Sequence, residues 1–176
     1  MENYPRNFDH DLHDSLDPVL SEQLNEVYRR VYGPLAEIIP ITDIAMQKAG
    51  IDKMLVLESG QIINVDEKIR PPRKREYDDI LVEIYHFEKG NNLKRWLGWL
   101  FKKGSRTDII AYVKVGTGEV FLIPFKELRT WSLENLQTIK DFETRDSENE
   151  GGYITRNKAF PIYVVEVMEG YVRTTF

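Results

Sequence analysis

Residues 50–70, GIDKMLVLESGQIINVDEKIR, decide how this chain is read. They form the pattern of a strand, a tight turn at Glu58-Ser59-Gly60 and a second strand. Side chains alternate between faces along an extended strand. Ile62, Asn64, Asp66 and Lys68 therefore share one face of the second strand, and Ile63, Val65, Glu67 and Ile69 share the other. The second face is apolar apart from Glu67. The first carries a carboxylate and an ammonium two positions apart, and Asp52 stands at the opening of the partner strand. Two carboxylates beside a lysine are groups that can hold a hard cation and a phosphate together.

Upstream, Leu20, Leu24, Val27, Val31, Leu35 and Ile38 recur at spacings of three and four, which predicts helix from Ser15 to Ile39, broken or kinked at Gly33-Pro34. This places Glu37 near the end of the second helical piece. Thr42 to Ala49 reads as a further turn or two of helix closed by Gly50. Residues 1–17 are polar and aperiodic and read as an arm. Its His10 and His13, among Asp9, Asp11 and Asp14, fit a solvated segment better than a metal cluster.

Downstream, Pro71-Pro72 stops the hairpin and Arg73-Lys74-Arg75 follows as a basic loop. Ile80 to Phe87 predicts a third strand, with Glu83 a candidate to extend the acidic face. Lys94 to Lys103 (KRWLGWLFKK) predicts a short helix or loop whose Trp96, Leu97, Leu100 and Phe101 pack inward. Thr107 to Val115 and Glu119 to Pro124 predict two strands joined at Gly116-Thr117-Gly118. Phe125 to Thr130 and Ser132 to Ile139 predict helices. The acid-rich Asp141 to Glu150 predicts an exposed loop, Tyr153 to Asn157 a polar approach, and Ile162 to Met168 a closing strand. His86 is expected to be packed or hydrogen-bonded, and Asp108 to serve as a cap. The expected architecture is one α/β (α+β) domain over residues 18–176 with a mixed central sheet. It lacks the regular strand–helix alternation of a doubly wound fold and any glycine-rich phosphate loop.

Bulk composition narrows the function classes. The 176 residues are 41% hydrophobic and 30% charged, a globular balance. There is no cysteine, which excludes disulfides, thiolate zinc sites and thiol catalysis. The N-terminus has neither the basic nor the apolar region of a signal peptide, and no apolar run reaches membrane-spanning length, so a cytoplasmic protein without membrane association is expected. The net charge of −5 argues against an all-round nucleic-acid coat but leaves room for a local basic groove.

Phosphodiester cleavage needs a nucleophilic water, neutralisation of charge on the phosphoryl oxygens, and help for the leaving oxygen. One or two Mg²⁺ ions held by carboxylates supply these. Asp52 and Asp66 are the candidate ligands, the carbonyl of Glu67 can complete the shell, and Lys68 can orient the water or contact the phosphate. Glu37 can hold a second ion.

The arrangement resembles the PD-(D/E)XK nuclease superfamily. The resemblance rests on a preceding helix with Glu37, on Ile51-Asp52 opening a strand and on Asp66-Glu67-Lys68 ending the next, and it spans residues 20 to 140 or so. The proline that precedes the first acid in the family is replaced by Ile51. The resemblance implies a restriction endonuclease-like αβββαβ core and Mg²⁺, or Mn²⁺, on Asp52 and Asp66. It makes Lys68 the catalytic lysine, Glu37 the helical acid and DNA the substrate. With no separate recognition domain, specificity is expected from a homodimer, a protein partner or substrate structure. The competing expectations are a non-catalytic binding or assembly protein of the same fold, and an acidic regulator that mimics nucleic acid.

Overall fold

The structure, a computed structural model, describes residues 17–72, 75, 77–148 and 152–176, and of 92–94 the backbone alone. The arm at 1–17, with His10 and His13, and the basic pair Arg73-Lys74 lie outside the described residues, Asp17 excepted.

Helix α1 (Pro18–Tyr32) begins with Asp17 as N-cap, its carboxylate accepting from the Val19 N–H, and with proline in the first turn, where its missing N–H costs nothing. It ends at Gly33 (φ 78°). Beyond it the prediction of a second helical piece is wrong: Leu35–Pro40 is strand β1. Pro34 blocks continuation of the helix. Leu35 and Ile38, read as further positions of a helical stripe, pack on the same core from a strand. Helix α2 (Ile44–Lys48) follows, capped by the Asp43 carboxylate on the Met46 N–H.

The hairpin forms as expected, from β2 (Lys53–Leu57) and β3 (Ile62–Arg70). Strand β6 (Ile109–Lys114) then lies parallel to β3, with Asp66 opposite Ile110 and Lys68 opposite Tyr112. The connection between them holds no helix among the described residues. It carries β4 (Asp79–Glu88) and β5 (Asn91–Leu97), an antiparallel hairpin, so KRWLGWLFKK is strand and turn. Strand β7 (Glu119–Pro124), helices α3 (Phe125–Glu134) and α4 (Leu136–Asp141), and strands β8 (Thr144–Glu148) and β9 (Tyr153–Pro161) come next. The expected acidic loop is thus partly a strand, and the polar approach is one as well. Asp146 and Glu148 sit there because Arg156 and Lys89 pair with them. The closing segment is helix α5 (Ile162–Glu166), followed by strand β10 (Val172–Thr175). A short apolar run such as IYVVEVM fits strand or helix equally, and here Pro161 starts a helix.

The architecture is mixed α/β. One sheet has six strands in the order β1-β2-β3-β6-β7-β10, with both parallel and antiparallel pairs; the other has four, β5-β4-β9-β8. Helix α1 covers one face of the larger sheet, burying Leu24, Val27 and Tyr28 against Leu55, Val65, Ala111 and Val113. The other face of that sheet (Ile110, Tyr112, Phe121, Ile123) meets Ile80, Val82 and Phe160 of the smaller sheet, with α3 and α5 closing the core. Polar links join the sheets: the Leu81 N–H donates to the Tyr112 hydroxyl (3.0 Å), and buried Arg70 pairs with Asp79 (2.8 Å). Asp66 and Lys68 point from β3 into the angle between the sheets. No helix among the described residues is long and apolar enough to cross a membrane.

Candidate active site

Asp52 sits in the turn before β2, and its Oδ2 accepts the Glu67 backbone N–H at 2.7 Å. It is therefore part of the hairpin, joined to the residue beside Asp66. Asp66 is buried, and the two carboxylates are close enough to share a hydrogen bond. Burial, and then the charge of Asp66, push the Asp52 carboxyl up to about 7, against the opposing pull of Lys68 and the Glu67 N–H. A second carboxylate beside a buried one makes ionisation of Asp52 costly.

Lys68 Nζ lies 2.5 Å from Asp66 Oδ1. Burial works against its charge, but Asp66, Asp52 and Glu83 together outweigh burial and raise its pKa. It is held as an ammonium, which suits it to donate hydrogen bonds and stabilise negative charge, not to take a proton. The Trp99 ring lies beneath it, 5.9 Å from Nζ to the centroid.

Glu67 does not join the pair through its side chain. That side chain is on the opposite face, under α1, where Lys53 Nζ (3.1 Å) and the Tyr28 hydroxyl (2.7 Å) bind its Oε1. Lys53 also donates to Ser21 and Asn25. What Glu67 brings to the site is backbone. Glu37 is not brought to the site either: it is exposed on strand β1, opposite Val56, near the far end of the β1–β2 ladder from Asp52. Its placement on a helix was an error of period, since the five residues between Pro34 and Pro40 carry too little pattern to tell helix from strand.

Glu83 and Trp99 are the additions from outside the hairpin. Glu83, on β4, contributes to the field at Lys68 and lies 3.6 Å from His86 Nε2, while His86 Nδ1 is hydrogen-bonded to Thr155 Oγ1 at 2.9 Å. Gly98 explains how Trp99 arrives: a Cβ there would stand 2.3 Å from the Glu83 carbonyl oxygen, so only glycine lets the end of β5 close on β4. The sequence offered a signal, a glycine between apolar residues in LGWL, but its meaning depends on which strand it meets. Asp108 has a structural task, accepting the Asn64 N–H at 2.8 Å.

A hard divalent cation suits this donor set. Mg²⁺ is held by one or two carboxylates while keeping other positions for water and phosphate, and the Asp52–Asp66 pair offers two crowded carboxylates whose repulsion a cation would relieve. Among the described residues no group of three or more His, Asp and Glu side chains is arranged for a metal, so any ion here rests on two carboxylates. Compared with known proteins, the chain matches no family model, no curated protein and no solved structure.

Proposed function

We propose that this protein is a divalent-metal-dependent nuclease of the PD-(D/E)XK type that hydrolyses phosphodiester bonds of DNA. The observation that carries the reading is the pairing of Asp52 with the buried Asp66, with the Lys68 ammonium 2.5 Å from Asp66. Few structural needs are met by setting one acid beside a buried one, and mutual repulsion makes such a pair costly unless it is used. The order α1-β1-β2-β3, with β6 parallel to β3, supports a restriction endonuclease-like core in which the β4–β5 hairpin occupies the place of the second helix.

In this reading Asp52 and Asp66 hold Mg²⁺ or Mn²⁺. The chemistry such an ion supplies is neutralisation of charge on the phosphoryl oxygens and acidification of a water. Asp52 is kept in position by the Glu67 N–H. Lys68, held as a cation between Asp66 and the Trp99 ring, directs its N–H groups to the attacking water or to the charge that develops on phosphate. Burial of Asp66 keeps bulk water from its carboxylate, strengthening its interactions with Lys68 and with a cation.

A second reading, a non-catalytic binding member of the same fold, is favoured by one observation: among the described residues no third acid, Glu37 included, completes a metal-holding group with the pair. A cleavage assay in Mg²⁺ or Mn²⁺ over linear, circular, single-stranded and branched DNA decides between them. Wild type is expected to cut, with Asp66→Asn and Lys68→Ala each reducing the rate by about a hundredfold or more while leaving the circular dichroism unchanged. Variants that cut as well as wild type would remove the site assignment. A wild type that neither cuts nor takes up Mn²⁺ in calorimetry supports the binding reading.

A further inference from the structure

Several cations on this acidic chain are matched with carboxylates: Arg29, Lys53, Arg70, Lys89, Arg156 and Arg173 are all in ion pairs. Around the end of α2 the exposed cations are not. Among the described residues, Lys48, Lys103, Arg106 and Arg129 make no ion pair, and Lys102 spends its ammonium on the Lys48 carbonyl. Lys48, Lys103 and Arg106 are exposed.

These residues are far apart in the chain and are brought together by backbone bonds. The Arg106 N–H donates to the Ala49 carbonyl at 2.8 Å, Arg129 Nη1 donates to the Lys102 carbonyl at 3.3 Å, and the Thr107 hydroxyl donates to the Gly50 carbonyl at 2.7 Å. The loop thus closes on the end of α2, directly beside the carboxylate pair. Ser105 Oγ and Asp66 Oδ2 flank the same glycine, 3.2 and 3.4 Å from where a Cβ of Gly50 would be. Two acids on the flanking segments are engaged elsewhere: Asp43 caps α2 and Asp108 binds Asn64. Gathering Lys48, Lys103, Arg106 and Arg129 on one side of the molecule has a cost in repulsion, which a polyanion would relieve.

We propose that the 102–106 loop, with Lys48 and Arg129, takes the phosphate backbone of a nucleic-acid strand and leads it past Gly50 to the Asp52–Asp66 pair. This rests on the nuclease reading for its substrate class and adds the surface that holds that substrate. Phosphate contacts carry affinity and orientation without reading sequence, and their signature is a steep salt dependence.

The test is fluorescence anisotropy of the full chain with labelled single- and double-stranded DNA and RNA oligonucleotides in EDTA, from about 50 to 200 mM salt. The triple variant Lys48→Gln/Lys103→Gln/Arg106→Gln is expected to bind about tenfold or more weakly. Its log–log salt slope should be shallower by roughly one per contact removed. Lys89→Gln, at a paired cation, should bind as wild type does. Unchanged affinity and slope in the triple variant overturns the proposal. So does a wild type that binds anionic vesicles or an acidic peptide but no oligonucleotide. If wild type binds through the loop and never cuts in Mg²⁺, the nuclease reading fails and the surface stands. If wild type cuts and the triple variant binds equally well, the surface fails alone.

Discussion

Asp52 and Glu67 are joined by a 2.7 Å hydrogen bond from the Glu67 N–H to Asp52 Oδ2, so the position of one carboxylate of the pair depends on the backbone next to the other. The hairpin therefore builds the pair by itself, and strand register sets how far apart the two acids lie. A one-residue slip of β2 against β3 would turn Asp66 and Lys68 toward α1 and bring Glu67 to the site. The Lys53–Glu67 pair under α1 opposes that slip.

The Asp52 carboxyl, raised from 3.8 to about 7 by burial first and by Asp66 second, makes stability depend on pH. A carboxyl with a folded pKa above its unfolded value contributes stability that is full below the unfolded value and lost as pH rises through the folded one. Between pH 4 and pH 7 the metal-free wild type is therefore expected to lose stability relative to Asp52→Asn, which does not ionise. Thermal melts of both proteins in EDTA across this range give the difference curve. A flat difference would remove the carboxylate pair from the account.

Divalent metal should act in the opposite sense. A cation competes with the shared proton, so Mn²⁺ or Mg²⁺ is expected to raise the melting temperature at pH 8 and to do much less at pH 5. At a metal concentration a hundredfold above Kd the gain is about 2.7 kcal/mol, roughly 5–10 °C for a chain of this size. Asp66→Asn should abolish the shift. A metal shift of equal size in Asp66→Asn would place the ion elsewhere.

Trp99 is expected to hold Lys68 through its ring face. Trp99→Leu keeps the apolar bulk and loses the ring, and should reduce cleavage about tenfold, with Trp99→Phe recovering part of it. The readout independent of activity is NMR of the Lys68 methylene protons, shifted by the indole in wild type and not in Trp99→Leu. Identical Lys68 shifts in the two proteins would count against the contact.

The Lys53–Glu67 pair, with side chains only 6% and 5% exposed, should be costly to break on one side and cheap to replace whole. Glu67→Ala leaves the Lys53 ammonium buried beside the Tyr28 hydroxyl and is expected to lose about 3 kcal/mol or more in urea unfolding. Lys53→Met/Glu67→Leu should recover most of that loss. A double variant no better than Glu67→Ala would show that the buried charges are needed for the fold itself.

By itself the sequence determined the hairpin and the face it presents. Alternation along a strand is local backbone geometry, so Asp66 and Lys68 had to share a side, and the turn at Glu58-Ser59-Gly60 had to return the chain past Asp52. Helix α1 was legible for the same reason, since its stripe at Leu20, Leu24 and Val27 is written in consecutive turns. The tertiary structure alone decided which distant residues meet that face. Glu37 stayed on an edge strand, while Glu83 and Trp99 came from a second sheet, and the basic loop settled beside Gly50. These are pairings across many residues, chosen by which apolar faces bury each other and by whether a glycine such as Gly98 permits close approach. The short runs at Leu35–Pro40 and Ile162–Glu166 were misread because their few apolar residues suit strand and helix alike, and packing made the choice.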